Sequence, residues 1–520
     1  MDRFKIVFIG AGSFRFSLGL YRNILNTPAL MPMEVGLCDI DAKSLDQTTK
    51  IFKRMITKAA GIKHYDPDQV VVNASTERRD LLENADIVYK SISVGMQESE
   101  WFDNYLPLKF GIPQNTGDTL GPGGLFRSLR SCQHAAGIAS DMAELCPKAP
   151  LLSYTNPQGT SVMAGRTVNP NSQFIGLCHE LFGGSWALLT FLLGHGHPKR
   201  IFKGIINQLE YGGLNHLGWV TKMELNGKDY YPLLRKNAAR IVKRKSFENA
   251  FFHYGFNFYL LQKHGWFVYP EERHVAEFMP DYYNYFNYQK KDQCPYWSFP
   301  VVRDVGHVDR ERTTAYKKFA KMAAGKQGVP RPVAYGERAM EMTLDWKDDK
   351  PRQHVVNIPN AVEGQYPKII PELPEDCIVE IPGQFKEGKM VPVKTIHLPE
   401  EIAAIVRPHA EQMRYSTDAG LGNDPDLVVK AMQHDPMANW IEDDDKLEYL
   451  SKLMLHYQKP WLPEAWAEWI PSEDELAQST WWVSPKDLAK DDNAYLKVMF
   501  PPDDRLKAKA FFWPKKGGTS

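Results

Sequence analysis

Phe4-Lys5-Ile6-Val7-Phe8-Ile9-Gly10-Ala11-Gly12-Ser13 decides the fold. An apolar run of strand length ends at two glycines, and from Leu18 to Ile24 the apolar residues recur at helical spacing. A strand, a glycine turn and a helix in that order open a dinucleotide-binding unit, in which Gly10, Gly12 and Ser13 would let backbone approach a pyrophosphate. The motif is incomplete, because Arg15 stands where a third glycine belongs, and any tight strand-to-helix turn uses glycines for geometry alone. The next strand, Val35-Gly36-Leu37-Cys38, ends in Asp39. That carboxylate could accept from an adenosine ribose or cap the following helix. In the ribose role it favours NAD over NADP, whose extra phosphate it would repel.

Working outward, the spacing predicts a helix through Thr48–Ala60, a strand at Val70–Asn73, and a crossover from Arg79–Leu82 into Ala85–Tyr89. A helix over Arg130–Leu145 and a strand over Leu151–Tyr154 follow, then a buried strand in Phe174–Cys178. Strands alternating with helices argue an α/β fold with a Rossmann-type, doubly wound parallel sheet and ligands at the strands' carboxyl ends. Past residue 200 the pattern blurs into a mixed sheet with helices that packs on the first half. We divide the chain into a NAD-binding domain at 1–198, an α/β domain for substrate, metal and oligomer contacts at 199–440, and a Trp- and Pro-rich extension at 441–520. The extension reads as a wrap over the surface.

Length and charge exclude several classes. At 520 residues the chain exceeds one ordinary core. Lys plus Arg number 63 and Asp plus Glu 63, with no basic block, so neither nucleic acid nor a membrane surface is an expected partner. No apolar stretch has membrane-spanning length. Met1-Asp2-Arg3-Phe4-Lys5 is too charged to begin an export signal, and cysteines scattered at 38, 132, 146, 178, 294 and 377 do not form a disulfide framework. The expected compartment is the cytoplasm.

Cys178 and His216 carry the chemistry. Cys178 closes an apolar run, and His216 sits in the glycine-rich Gly212-Gly213-Leu214-Asn215-His216-Leu217. Separately they could be a core thiol and a turn histidine. Together, with no CxxC or HxxxH nearby, they are too few ligands for structural zinc and suit an open divalent-metal site completed by substrate and water. Glycines crowd around Asp118 in Gly117-Asp118-Thr119-Leu120-Gly121-Pro122-Gly123-Gly124, which suggests backbone threaded close to a ligand. Asn156 ends a core strand, where it faces the cleft or starts a turn. His274 and Glu277, three apart, could grip sugar hydroxyls or form a surface pair.

These stretches resemble glycoside hydrolase family 4, the NAD- and Mn-dependent glycosidases. The likeness runs from residue 4 to about 436 and adds Asn357-Ile358-Pro359-Asn360, Val379-Glu380-Ile381-Pro382 and Asp435-Pro436. It implies a C-terminal domain like that of lactate and malate dehydrogenases, NAD and Mn²⁺ or another divalent metal as cofactors, and Cys178 with His216 as metal ligands. Cys178-His179-Glu180-Leu181 looks most like the α-glucuronidase and α-galacturonidase branch, which takes unphosphorylated sugars; the fourth residue departs from that pattern. Glu100 replaces an arginine common in the family, which disfavours a phosphate clamp, and Phe278 replaces a usual tyrosine. The implied reaction on a small glycoside is oxidation at C3, deprotonation at C2, elimination, water addition and re-reduction. In it His179 is the candidate acid, Asp118 orients a hydroxyl or assists proton transfer, Tyr269 or Glu272 is the candidate base, and Asn156, His274 and Glu277 bind sugar. A homodimer or homotetramer is expected. A plain dehydrogenase and a silent sugar or NAD sensor stay open as alternatives. The former would produce net NADH and needs no Cys178–His216 pair.

Overall fold

The computed structural model describes residues 3–60, 65–112, 114, 116–193, 206–242, 254–281, 305–333 and 338–490. The tyrosine cluster at 282–285, most of the aromatic insertion, the boundary at 198 and the chain past 490 lie outside them.

The first half alternates as its spacing predicts. It runs β1 (Phe4–Ile9), α1 (Ser17–Leu25), β2 (Met33–Cys38), α2 (Ala42–Ala59), β3 (Val70–Ser75), α3 (Arg79–Leu82) and β4 (Ile87–Lys90). Then come α4 (Met96–Lys109), α5 (Gly121–Leu145), β5 (Leu151–Ser153), α6 (Gln158–Val168), β6 (Phe174–Gly176) and α7 (Glu180–Leu193). These strands pair in parallel in the order β3-β2-β1-β4-β5-β6. Such a sheet is covered on both faces, so its strands read as continuous apolar runs. Ile6, Val7, Val35, Leu37, Ile87 and Val88 are fully buried, each contributing about 1.5–3 kcal/mol of transfer free energy.

The second half continues that sheet edge to edge. Hairpin strands β7 (Leu209–Leu214) and β8 (Leu217–Leu225) precede β9 (Lys228–Asp229), α8 (Tyr231–Val242), α9 (Gly255–His264), β10 (Phe267–Val268) and α10 (Glu272–Val275). After α11 (Val305–Ala323) and α12 (Ala339–Lys347) come β11 (His354–Pro359), β12 (Ile378–Lys386) and β13 (Lys389–Pro392). The path beyond β6 is β11-β12-β7-β8-β10, antiparallel throughout. Register aligns Gly176, Asn357, Glu380 and Gly213 in one row across β6, β11, β12 and β7. Cys178 and His216 therefore leave the sheet two and three residues beyond the two ends of that row.

Two expectations need correction. The glycine tract is not loop threaded past a ligand: residues 121–124 form the first turn of α5, which starts nine residues before the expected Arg130. Pro122 suits a first turn, where its missing N–H costs nothing. The glycines serve packing, since a Cβ at Gly123 would sit 2.8 Å from the Asp103 carbonyl oxygen and one at Gly124 would strike the Thr119 backbone. Nor does the start of the extension merely wrap the surface. After α13 (Glu400–Gly422), α14 (Pro425–His434) and α15 (Pro436–Asn439), α16 (Asp444–Gln458) buries Leu447, Leu450, Leu453 and Met454. They pack, with Trp466, against Leu106 of α4, Phe126 and Leu129 of α5, and Met432 of α14. A buried ion pair crosses this second core: Arg130 Nη2 donates to Asp103 Oδ2 at 2.7 Å, and Gln458 Nε2 donates to Asp103 Oδ1 at 2.9 Å. Among the described residues no helix is long and apolar enough to cross a membrane.

Candidate active site

Three donors, His216 and His274 buried and Asp118 partly so, converge where the loop before α5, the β7–β8 turn and α10 meet. Asp118, His216 and His274 offer ligand atoms that all lie within 4.8 Å of one another. Asp118 is set by the loop before α5. His216 occupies a two-residue hairpin turn with φ of +63°, a left-handed conformation that a bulky side chain adopts only when its surroundings fix it. His274 comes from α10, and its ring stacks on that of His216 with centroids 3.8 Å apart. Asn156 Nδ2 donates to Asp118 Oδ2 at 3.0 Å, and Arg127 Nη1 lies 3.8 Å from the same oxygen. Glu277 Oε1 accepts from the backbone N–H groups of Thr116 and Gly117, the latter at 2.8 Å, which ties the Asp118 loop to the end of α10.

Charge follows from these contacts. Burial raises the Asp118 carboxyl, but His216, Arg127 and Asn156 together bring it below its ordinary value. Burial pushes His216 down to about 4 against the pull of Asp118, so its imidazole is neutral at physiological pH. Burial, then Asp118, push Glu277 up to about 8, against the two backbone donors. Burial, then Glu380 and Glu180, hold the Cys178 thiol well above its usual range, while Asn215 opposes.

The structure brings Asp118, Asn156, His216, His274 and Glu277 together. Cys178 is not in the three-donor group; it lies beside Asn215, the neighbour of His216. His179 is exposed at the rim with Nε2 3.8 Å from Glu180 Oε1, and that same oxygen lies 3.9 Å from His274 Nε2. Tyr269 and Glu272 lie outside the three-donor group. Tyr269 is fully buried and its hydroxyl donates to Glu380 Oε1 at 2.6 Å. Glu272 is fully buried and its Oε2 accepts from the Phe256 N–H at 2.7 Å, at the start of α9.

Motif and spacing assign no function to Arg127, Glu180 or Glu380. Glu380 accepts at Oε2 from Asn215 at 3.0 Å and from Asn357 at 2.9 Å, besides Tyr269 at Oε1. A lone carboxylate inside the apolar run Ile378–Ile381 was the available signal, because a buried charge must be hydrogen-bonded.

At the carboxyl end of β1, Gly10 has φ of +91°, and a Cβ there would run into the Ser91 carbonyl. Asp39 turns its Oδ2 to the Gly12 N–H at 2.8 Å and its Oδ1 to the Asp41 N–H at 3.0 Å. Beside it Ile40 is 94% exposed. A side-chain-free turn, an acid and a bare apolar surface at the end of β2 fit the phosphates, ribose and flat base of a dinucleotide. The donor types fit a divalent cation as well: a carboxylate and two imidazoles gather within 4.8 Å of one another, and the acidic surroundings of Cys178 favour a positive charge.

Residues 5–193 match the family model for family 4 glycosyl hydrolases, and residues 211–438 match that family's C-terminal domain. An α-galactosidase of Bacillus subtilis is 30% identical over 438 residues, covering 83% of this chain and 93% of that protein. An α-galacturonidase of Lachnoclostridium phytofermentans is 28% identical over 474 residues, covering 89% and 97%. The crystal structure of the glucosidase lplD from Bacillus subtilis superposes with a TM-score of 0.74 at 25% identity, covering 88% of this chain and all of that one. A 6-phospho-α-glucosidase from gut microorganisms, solved with NAD and Mn²⁺, has a TM-score of 0.69 at 17% identity over 89% of this chain and all of its own, and speaks for the fold alone. With both halves matched and a relative at 30% identity across most of its length, the chain belongs to family 4 of the glycosyl hydrolases.

Proposed function

We propose that this chain hydrolyses α-glycosides of unphosphorylated sugars, α-uronides being the first class to test, with NAD and a divalent metal such as Mn²⁺ as cofactors. The observation that carries the reading is the convergence of Asp118, His216 and His274, together with the Gly10–Gly12 turn and Asp39 at the carboxyl ends of β1 and β2 in the same sheet. The α-galactosidase and α-galacturonidase relatives support the sugar class. When bound, the nicotinamide would supply reversible hydride acceptance at a sugar carbon and the cation would polarise the adjacent oxygens.

The chain's own residues do the rest. Cys178 and His216 would hold the metal, and Gly10, Gly12, Ser13 and Asp39 the dinucleotide. Asp118, ionised, accepts from a sugar hydroxyl, and Asn156 fixes its orientation from behind. Glu277 retains its proton at neutral pH and can donate a hydrogen bond where an ionised carboxylate could only accept. His274 completes the grip on the ring. His179, exposed at the rim beside Glu180, is placed to protonate a departing oxygen. Tyr269 as base would have to leave Glu380, and Glu272 would have to leave the α9 N-terminus, so of the two Tyr269, nearer Cys178, is the one we retain. We infer a homo-oligomer in the cytoplasm; the five described cysteines, all unpaired thiols, support a reducing compartment.

The test is a panel of nitrophenyl α-glycosides and α-uronides assayed with catalytic NAD⁺ and Mn²⁺. Expected is sugar release that needs both additions, with no net NADH. Stoichiometric NADH with intact glycoside would replace this reading by a dehydrogenase.

A further inference from the structure

Thr119 stands between Asp118 and His216. Its Oγ1 lies 2.7 Å from Asp118 Oδ1 and 2.7 Å from His216 Nδ1, in a buried setting. A hydroxyl has one proton to give. Two oxygens at that separation require a proton between them, and the Thr119 hydroxyl donates it to the Asp118 carboxylate. The hydroxyl oxygen is then left to accept, and the group it faces must be an Nδ1–H. This fixes the neutral tautomer of His216 in which Nε2 carries the lone pair.

The loop holds Thr119 in place for this role. Gly124 leaves no room for a Cβ against the Thr119 backbone, and Gln114 bridges the loop by donating to the Leu120 carbonyl at 3.3 Å and accepting from the Gly123 N–H at 2.8 Å. A β-branched side chain adds stiffness at χ1. Metal-ligating histidines commonly give their second ring N–H to an oxygen that sets tautomer and ring orientation. Here the carboxylate reaches the ring through an intervening hydroxyl.

We propose that Thr119 is a positioning residue, whose hydroxyl relays Asp118 to His216 Nδ1 and presents His216 Nε2 to the divalent cation. The inference rests on the reading of His216 as a metal ligand.

The experiment is Mn²⁺ titration of the purified protein by electron paramagnetic resonance, with NAD⁺ affinity and melting temperature recorded alongside. Thr119→Val, which keeps shape and loses the hydroxyl, should weaken Mn²⁺ binding by about 10–100-fold, the range for losing such an orienting partner. Thr119→Ser should restore binding to within a few-fold, and NAD⁺ affinity should hold in both. Thr119→Ala gives the same reading should valine disturb the loop. Wild-type Mn²⁺ affinity in the Val and Ala variants, or equal loss in Ser and Val, overturns the relay. Wild-type affinity in His216→Ala would instead overturn the metal assignment on which it rests.

Discussion

At the scale of single residues, the two ring nitrogens of His216 and the Cys178 thiol state what metal binding must do to protons. Burial keeps the imidazole neutral down to about 4, so His216 has no proton to lose above pH 6. The thiol is held above its usual range by burial, Glu380 and Glu180, so it is protonated at pH 7–8, whereas a metal takes the thiolate. Binding at Cys178 should therefore release one proton, and affinity should rise about tenfold per pH unit across this range. Calorimetry in buffers of different ionisation enthalpy reads that proton directly. Release of none would remove Cys178 from the donor set. Asp118→Asn keeps the shape of the side chain and loses its charge facing Arg127 and His216, and we expect kcat to fall at least about 100-fold for a group that assists proton transfer. A loss confined to KM would leave it a binding group.

At the scale of elements, Asp103 joins α4 to α5 by a bidentate pair with Arg130, and Gln458 of α16 closes the set. Replacing Asp103 by Leu strands a buried guanidinium, and we expect a loss of about 3–5 kcal/mol, visible as a lowered urea midpoint. A shift within a few tenths of a kcal/mol would mean that water reaches Arg130. Gly218→Ala on β8 would force a Cβ into the Tyr269 ring; overpacking of this kind typically costs about 1–3 kcal/mol and should show as a lower Tm. How far the sequence foretold these elements depends on how each is stabilised. The parallel strands were legible because burial on both faces leaves an unbroken apolar run, as in Phe4–Ile9. Helix α4 was not, because Pro107 stands inside it and its apolar residues do not gather on one face. The start of α5 was hidden by glycines that serve contacts with Asp103 and Thr119, far from any propensity. In the site, type and spacing marked Asp118, His216, His274 and Glu277 only as candidates with ordinary structural alternatives, and the likeness to the family gave them their proposed roles. Arg127 gave no such signal, because an arginine inside a helix shows its purpose only through partners distant in sequence; Glu380 stood out as a carboxylate inside an apolar strand, but its partners Asn215, Tyr269 and Asn357 appear only in the fold.

At the scale of the whole molecule, burial of neutral histidines sets the response to acid. His216, His354 and His409 are each pushed down to about 4 by burial. A histidine depressed in the folded state contributes stability that is present above its unfolded pKa, about 6.5, and is lost as pH falls through the folded value. Burial raises the carboxyls of Glu277 and Asp435, to about 8 and 7, and their contribution runs the opposite way. Comparing a variant with the parent isolates one group: in His409→Gln, stability should fall less steeply between pH 6.5 and 4 than in the parent, measured by denaturant titration at several pH values. Parallel curves would show that His409 does not stay neutral. The row Gly176–Asn357–Glu380–Gly213 has a further consequence, for how this chain can be divided. Its two halves are stitched along β6 and β11, so neither owns a finished edge. Expressed apart, each would present an open strand to its neighbours in solution and associate through it; expressed together as two pieces, they should find each other and rebuild one seam.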